Sequence, residues 1–172
     1  MVAEKLRLID PTSDLEVEFC DMAMEWQENG SDRFGKALNN FAAYVEKLIQ
    51  QKEPQETYPD RVPGSTFWLI ANNRRLVGTS RLRYWLVPRL EQEGGHIGYD
   101  IRPSERKKGY GTQLLALTLN KARAIGLKEV IITCDQDNQG SVRIIEKNGG
   151  EYLGGAISNR TGKQINRYRI VL

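Results

Sequence analysis

The sequence predicts an α/β fold of the mixed α+β type, in which helices flank a central, mostly antiparallel sheet. Three observations support this prediction. Extended and helical hydrophobic patterns alternate along the chain. A β-branched apolar run at residues 129–134 follows a helical pattern, as a buried parallel strand follows a crossover helix. Residues 109–111 read Gly-Tyr-Gly between an extended run and a helical run.

The first strand and the first helix have clear boundaries. Residues 4–9 alternate apolar and polar side chains and predict a strand that Asp10-Pro11 closes. The helix that follows has Thr12 or Ser13 as N-cap, and Asn29-Gly30 ends it.

A second helix and a long loop complete the first part of the chain. Apolar residues at helical spacing predict this helix from about residue 33 to residue 52. Residues 53–65 contain three prolines and predict a loop, where substrate-facing residues often lie.

The second part of the chain is predicted to contain six strands and two helices. Two antiparallel strands are predicted at residues 65–70 and 76–86, with a turn at Asn72-Asn73. Six further elements follow: a strand at 96–101, a helix from about 113 to 126, a strand at 129–134, a helix at 138–148, and two strands around 159–163.

Length and composition limit the class of protein. The 172 residues suffice for one domain with its own core, so we expect a single domain over residues 1–172. The 25 basic and 22 acidic residues are too evenly balanced to indicate a nucleic-acid surface. Neither a membrane span nor a secretory signal is visible, so we expect no membrane partner and a cytoplasmic location.

The cysteine and histidine content argues against a metal site. Two cysteines, Cys20 and Cys134, cannot form a disulfide framework, and the chain contains one histidine. No spacing of these residues suits zinc, so no metal is predicted. We interpret both cysteines as small buried apolar residues.

The turn at residues 106–112 is the strongest functional signal. It reads Arg-Lys-Lys-Gly-Tyr-Gly-Thr and precedes a helix, whose first N–H groups and positive dipole end favour a bound anion. Such a Gly-x-Gly also occurs in ordinary strand-to-helix turns. Leu114 stands where a dinucleotide fingerprint has its third glycine, and no P-loop pattern is present. The turn alone therefore leaves a diphosphate cradle and a structural turn open.

The surrounding residues carry a family resemblance. Residues 96–105, followed by Arg106-x-x-Gly109-x-Gly111-Thr112 and a helix, resemble motif A of the GNAT superfamily of N-acetyltransferases. Residues 135–141 and 146–150 look like the second coenzyme-contacting segment of that family. The order of the predicted elements is similar to that of the GNAT fold as well.

The resemblance implies a fold, a co-substrate and a set of contacts. In the GNAT fold two parallel strands splay apart, and the pantetheine arm of acetyl-CoA lies in the gap between them. The expected co-substrate is acetyl-CoA. The residues expected to contact it are Tyr99, Asp100, Ile101, Arg106, Lys107, Lys108, Gly109, Tyr110, Gly111, Thr112, Asn138 and Ser141.

The catalytic base is the first open question. An amine must be neutral to attack a thioester, so a group or a water chain must remove a proton. His96 titrates near neutral pH and is favoured, although it could also be a histidine that serves only in the structure. Period-2 alternation places His96, Gly98 and Asp100 on one face of their strand. Where histone acetyltransferases of the family have a glutamate, this chain has Gly95, with Glu93 nearby.

The group that stabilises the departing thiolate is the second open question. Many relatives use a tyrosine four residues after a serine in the helix that follows the second parallel strand. Counting from Ser141, the corresponding residue is Ile145, so the expected hydroxyl is absent. Ser141 itself, Tyr152 or a water molecule could substitute.

The resulting hypothesis is direct transfer of an acetyl group from acetyl-CoA to a primary amine, carried by a small molecule or a peptide. Polyamines, aminoglycosides, amino acids, peptide N-termini and protein lysines remain open as acceptors, and a homodimer is possible. A non-catalytic acyl-CoA-binding module or sensor on the same fold is the first alternative. A nucleotide or nucleic-acid binder that uses the basic turn is the second.

Overall fold

The computed structural model describes residues 4–54, 61–72 and 74–172 of the chain. Residues 55–60 of the predicted substrate-facing loop, and Asn73 of the predicted turn, lie outside the described residues. The predicted strands and helices all fall within the described parts.

Two antiparallel sheets form the centre of the molecule. The first has four strands in the order β1-β2-β3-β4: β1 (Leu6–Ile9), β2 (Gly64–Ala71), β3 (Arg75–Arg83) and β4 (Ile97–Ile101). The second has three strands in the order β5-β7-β6: β5 (Glu129–Asp135), β6 (Glu151–Ile157) and β7 (Gln164–Val171). The predicted α/β class with a mostly antiparallel sheet is confirmed.

Six α-helices lie in the described residues: α1 (Glu16–Glu28), α2 (Gly35–Asn39), α3 (Phe41–Gln50), α4 (Pro88–Gln92), α5 (Tyr110–Ala124) and α6 (Gln139–Lys147). None of these six has both the length and the hydrophobicity that crossing a membrane requires.

Two helix predictions need correction. The predicted helix over residues 33–52 is broken at Asn40, whose extended backbone has φ −159° and ψ 94°. The Oδ1 atom of Asn40 accepts a hydrogen bond from the N–H of Ala43 at 3.0 Å, so this residue caps α3 instead of continuing α2. The short helix α4 was predicted as loop. Pro88 at its first turn and the buried Leu90 explain why it forms.

Strand alternation divides the core between the two faces of the first sheet. Trp68 of β2 is fully buried under α1 to α3, with its ring centroid 4.7 Å from that of Phe19. The preceding residue, Phe67, points the other way and packs with Leu115 and Leu119 of α5. The first sheet is therefore covered on both faces, and β1 and β4 are its edge strands.

The two sheets meet at the N-terminal end of β4. The N–H of His96 donates a hydrogen bond to the carbonyl of Ile131 in β5 at 2.7 Å. Beyond this point β4 and β5 form no ladder in the described chain, since each pairs only with its own sheet. The predicted splayed and parallel arrangement of these two strands stays a prediction.

Candidate active site

A cleft of about 630 Å³ lies beside the C-terminal end of β4. Its walls are β4, the turn before α5, and the first turns of α5 and α6. Ten of the residues predicted to contact the coenzyme line it: Tyr99, Asp100, Ile101, Arg106, Lys107, Gly109, Gly111, Thr112, Asn138 and Ser141. Two segments far apart in sequence, the basic turn and the start of α6, therefore meet at one cavity.

The backbone at the start of α5 is arranged to hold an anion. Gly109 is the N-cap residue, with a left-handed φ of 87°, and no side chain caps the helix. The N–H groups of Tyr110, Gly111 and Thr112 have no acceptor among the described residues, whereas Gln113 N already donates to Gly109 O at 3.3 Å. Three free donors and the positive helix end thus converge at the cleft.

The two glycines of the turn have different physical roles. A Cβ on Gly109 would meet no atom within 4 Å, so this position needs glycine because of its backbone angle. A Cβ on Gly111 would lie 2.4 Å from Cδ1 of Ile144, so this position needs glycine to let α5 approach α6. From the sequence, one reason is expected for both glycines, namely access of a ligand to the backbone. The structure supports close packing as the reason for Gly111.

Two predicted side chains point away from the cleft. The Nζ of Lys108 pairs with Oε2 of the buried Glu105 at 3.1 Å. The hydroxyl of Tyr110 accepts a hydrogen bond from Arg75 at 2.9 Å and donates one to Glu4. Neither side chain lines the cavity. Of these two residues, only Tyr110 contributes to the helix end, through its main-chain N–H.

Basic side chains from two elements face the cleft. Arg106 and Lys107 come from the turn, and Arg143 and Lys147 come from α6. Arg143 and Lys147 are not among the residues predicted from the sequence, although their spacing of four residues places them on one helix face. Four cations around free amide groups are a setting for a polyphosphate.

The first helix also reaches this cleft through Trp26. The guanidinium of Arg106 stacks over the Trp26 ring, 4.8 Å from its centroid. The neighbouring Glu25 holds α1 in place, because its carboxylate accepts from Arg102 Nε at 2.5 Å and from the Ser104 hydroxyl at 3.0 Å. No local sequence signal marks Trp26 as a cleft residue, since its contact partner Arg106 is 80 residues further along the chain.

The second segment predicted to contact the coenzyme lies at the start of α6. Asn138 caps the helix, since its Oδ1 accepts from Ser141 N at 3.0 Å, and both residues line the cleft. The Tyr99 hydroxyl donates to the main-chain oxygen of Ser141 at 3.4 Å, and burial raises the pKa of Tyr99 well above its usual range. Ile145, at the position where relatives have tyrosine, is fully buried in the core.

His96 lies at the junction of the sheets and outside the cleft. Its Nδ1 atom accepts a hydrogen bond from the N–H of Ile131 at 2.9 Å. Burial, with a smaller contribution from Arg83, lowers the pKa of His96 below its ordinary value. His96 lines neither of the two cavities described, so the structure does not bring this predicted base to the cleft.

A second cavity of about 270 Å³ adjoins the cleft on the face of β4 that α2 and α3 cover. Gly98 and Asp100 form part of its floor, as period-2 alternation predicts. Asp100 lines both cavities and pairs with Arg33 at 2.6 Å. Burial raises the pKa of Asp100 above its ordinary value, although Arg33 opposes this effect. One carboxyl group thus stands between the two cavities.

Comparison with protein families identifies the class of fold and of activity. A family model described as an acetyltransferase (GNAT) domain matches residues 6–151. This range includes every residue of the cleft and every strand of the first sheet. Among curated protein sequences, no significant match to the chain is found.

Several solved structures share the fold over nearly the whole chain. A ribosomal alpha-N-protein acetyltransferase, RimL, in complex with coenzyme A superposes with a TM-score of 0.71 at 17% identity, covering 97% of this chain and 94% of that one. The microcin self-immunity acetyltransferase MccE, in complex with acetyl-CoA and AMP, gives 0.70 at 17% identity, covering 98% and 93%. RimJ of Mycobacterium smegmatis, in complex with a coenzyme A disulfide, gives 0.73 at 14% identity, covering 96% and 81%.

Proposed function

Because the chain belongs to the GNAT family of acetyltransferases, we propose that it moves the acetyl group of acetyl-CoA to a primary amine by direct attack. The observation that carries this proposal is the cleft beside β4, where three unpaired N–H groups of α5 meet four basic side chains. The RimL and MccE structures of similar fold hold coenzyme A and acetyl-CoA, respectively, which agrees with acetyl-CoA as co-substrate.

The cleft has the size and charge that such a co-substrate requires. Its volume of about 630 Å³ falls within the roughly 300–1,000 Å³ of small-molecule sites. The start of α5 would hold the diphosphate through the N–H groups of residues 110–112, and Arg106, Lys107, Arg143 and Lys147 would neutralise its charge. The open edge of β4 at Tyr99 and Ile101 would pair with the amides of the pantetheine arm.

Asp100 is the residue best placed to take the proton from the attacking amine. It lies between the coenzyme cleft and the second cavity, which we assign to the acceptor. As the amine nitrogen bonds to the thioester carbon and the carbon–sulfur bond breaks, the proton leaves the nitrogen for this carboxylate. A raised pKa makes Asp100 a stronger base than an exposed aspartate. His96 remains the alternative base. Its Nδ1 already accepts a hydrogen bond from Ile131 N, and the residue lies outside the cleft, so it would have to act through a water chain.

Two hydroxyl groups lie near the point where the thiolate would leave. Ser141 was predicted for this role, and its side chain lines the cleft. The Tyr99 hydroxyl lies against the main chain of Ser141 and supplies the phenol that Ile145 cannot. We propose that one of these groups donates a hydrogen bond to the thiolate of coenzyme A, or that a water molecule held by them does.

The proposal is tested by mixing the protein with acetyl-CoA and a panel of amines while free thiol is measured. Thiol release that depends on an amine, with one acetyl group added to that amine by mass spectrometry, is the expected result. Tight binding of acetyl-CoA without thiol release for any amine would favour the acyl-CoA sensor, whose motivation is the missing tyrosine at Ile145. A cytoplasmic location and a homodimer stay predictions.

A further inference from the structure

The second cavity carries an unbalanced positive charge. Three arginines line it, namely Arg33, Arg81 and Arg83, against one carboxylate, Asp100. Asp100 is already paired with Arg33 at 2.6 Å. Arg81 and Arg83 are therefore left without an acidic partner among the described residues.

Arg81 and Arg83 are held in place by neutral groups only. Arg81 donates to the side-chain oxygen of Gln51 and, at 3.3 Å, to the carbonyl of Val62, while its Nε has no acceptor in the described chain. Arg83 donates to the carbonyl of Gly95 at 2.8 Å. These contacts orient the two guanidinium groups but leave their charge uncompensated.

The surroundings make this arrangement costly for the free protein. Burial, with a smaller contribution from the nearby Arg83, lowers the pKa of Arg81 to about 10. Burial is also the main reason why the pKa of Arg83 lies below its ordinary value. Buried cations normally have an anionic partner. A bound anion would supply the partner that the described chain lacks.

The sheet register places these arginines close to Asp100, the proposed base. Arg81 lies opposite Gly98 of β4, and Thr79 lies opposite Asp100. Gly98 and Asp100 are two residues apart on one strand, which corresponds to about 7 Å. A Cβ on Gly98 would meet no atom within 4 Å, so the space above Gly98, between Arg81 and Asp100, is open. An amine at Asp100 and an anion at Arg81 could belong to one small molecule.

We infer that the acceptor carries an anionic group, a carboxylate or a phosphate, close to the amine that is acetylated, and that Arg81 and Arg83 bind this group. The inference rests on the proposed acetyl transfer, because it assigns the second cavity to the acceptor. The volume of about 270 Å³ suits an amino acid or a small amino phosphate. A polyamine without an anion would meet repulsion from the same arginines.

Matched pairs of amines test the inference. Amino acids are compared with their carboxamides, and O-phosphoethanolamine with ethanolamine, with spermidine as an amine that has no anion. We expect kcat/KM to be at least about tenfold higher for the anionic member of a pair, as for a charge-assisted hydrogen bond. The carboxylate and phosphate arms tell which anion is preferred. Equal or better use of the neutral members or of spermidine would overturn the inference.

Binding measurements separate this inference from the proposed reaction. Each amine is titrated by calorimetry into the protein saturated with coenzyme A. Anion-dependent binding without any thiol release would support the anion site and count against acetyl transfer. Thiol release without an anion preference would support transfer and reject the anion site, as would the absence of binding by every anionic compound.

Variants locate the effect. In Arg81→Met or Arg83→Met the preference for the anionic amine should fall at least about tenfold, while the Kd of acetyl-CoA stays unchanged. Arg123→Met, at an exposed arginine of α5, is the matched control. If the arginine variants do not fold, Gly98→Val fills the cavity floor and should block anion binding. An undiminished preference in folded Arg81→Met and Arg83→Met would contradict the proposal.

A further variant tests whether acidic side chains of the chain itself pair with Arg81 and Arg83. Glu56 and Asp60 lie outside the described residues and are the acidic residues of the segment 55–60. The double variant Glu56→Gln, Asp60→Asn should bind the anionic amine as the parent protein does. A gain of about tenfold or more in affinity would mean that these carboxylates occupy the arginines, and it would overturn the inference.

Discussion

The cleft beside β4 and the second cavity both have basic linings, but they obtain their charge in different ways. The cleft collects Arg106 and Lys107 from one turn and Arg143 and Lys147 from one helix face. The second cavity collects Arg33 from the segment before α2, and Arg81 and Arg83 from alternate positions of β3. The first site is therefore encoded in short motifs, whereas the second is encoded by strand alternation under covering helices.

The donors of the two sites also differ in kind. At the cleft, the main-chain N–H groups of α5 add to the side-chain charges and are exposed by the helix start itself. At the second cavity, side chains alone provide the charge, and neutral oxygens hold them. We infer that the cleft is suited to the diphosphate of a co-substrate that members of the family share, and that the cavity is suited to the acceptor of this particular protein.

The largest expected effect is at the residue that both sites share. In Asp100→Asn, kcat should fall by about two orders of magnitude or more, as for loss of a general base, with the Kd of acetyl-CoA nearly unchanged. The rate should rise with pH as Asp100 loses its proton, and this acid limb should be absent from the variant. Burial places the limb above the ordinary pKa of aspartate. Stopped thiol-release assays across pH provide the test.

Arg33→Met is the control for that experiment. Arg33 opposes the effect of burial on the pKa of Asp100, so its removal should move the acid limb to higher pH without abolishing activity. A rate in Asp100→Asn within about threefold of the parent would exclude Asp100 as the base. A loss of kcat in His96→Asn, with coenzyme affinity kept, would then assign the role to His96.

The second effect distinguishes the backbone of the cleft from its charges. Gly109→Val should weaken acetyl-CoA binding by about tenfold or more, because a left-handed φ costs a β-branched residue roughly 1–2 kcal/mol. Calorimetry measures the Kd. Gly162→Val is the matched control, because Gly162 also has a positive φ, 69°, in the turn between β6 and β7. Similar affinity losses in both variants would mean that the effect is general destabilisation.

A smaller effect is expected at Tyr99. Removing its hydroxyl in Tyr99→Phe should lower kcat by about two- to tenfold, the range for one neutral hydrogen bond, and leave KM for the amine unchanged. Steady-state kinetics provide the measurement. The exposed Tyr152, which the sequence argument offered as a substitute donor, serves as the comparison in Tyr152→Phe. If only the second variant is slower, the thiolate donor is Tyr152.

The smallest effect concerns stability and the junction at His96. Because the pKa of His96 is lowered in the folded chain, the unfolded chain binds its proton at higher pH. Stability should therefore fall as pH drops below about 6.5. In His96→Asn, whose Oδ1 could accept from Ile131 N, this fall should be shallower. Urea midpoints at pH 7.5 and pH 5.5 for both proteins measure the difference. An equal drop in the midpoint between the two pH values in both proteins would contradict the prediction.

Much of the fold followed from local patterns. The strands at residues 129–134 and 65–70 were predicted because their apolar runs are short, β-branched and bounded by turn residues. The break at Asn40 was missed because the hydrophobic period continues across it, and only the capping geometry shows the interruption. The helix α4 was missed because its five residues carry a single buried side chain, Leu90.

Local sequence specified the basic turn at residues 106–112, because the glycines and basic residues that form it are neighbours in the chain. It specified the orientation of Gly98 and Asp100 as well, since strand alternation is a local property. The tertiary structure decided what could not be read locally. Trp26 reaches the cleft from α1, and Arg81 and Arg83 share a cavity with Asp100, because burial and pairing depend on elements that are distant in the chain.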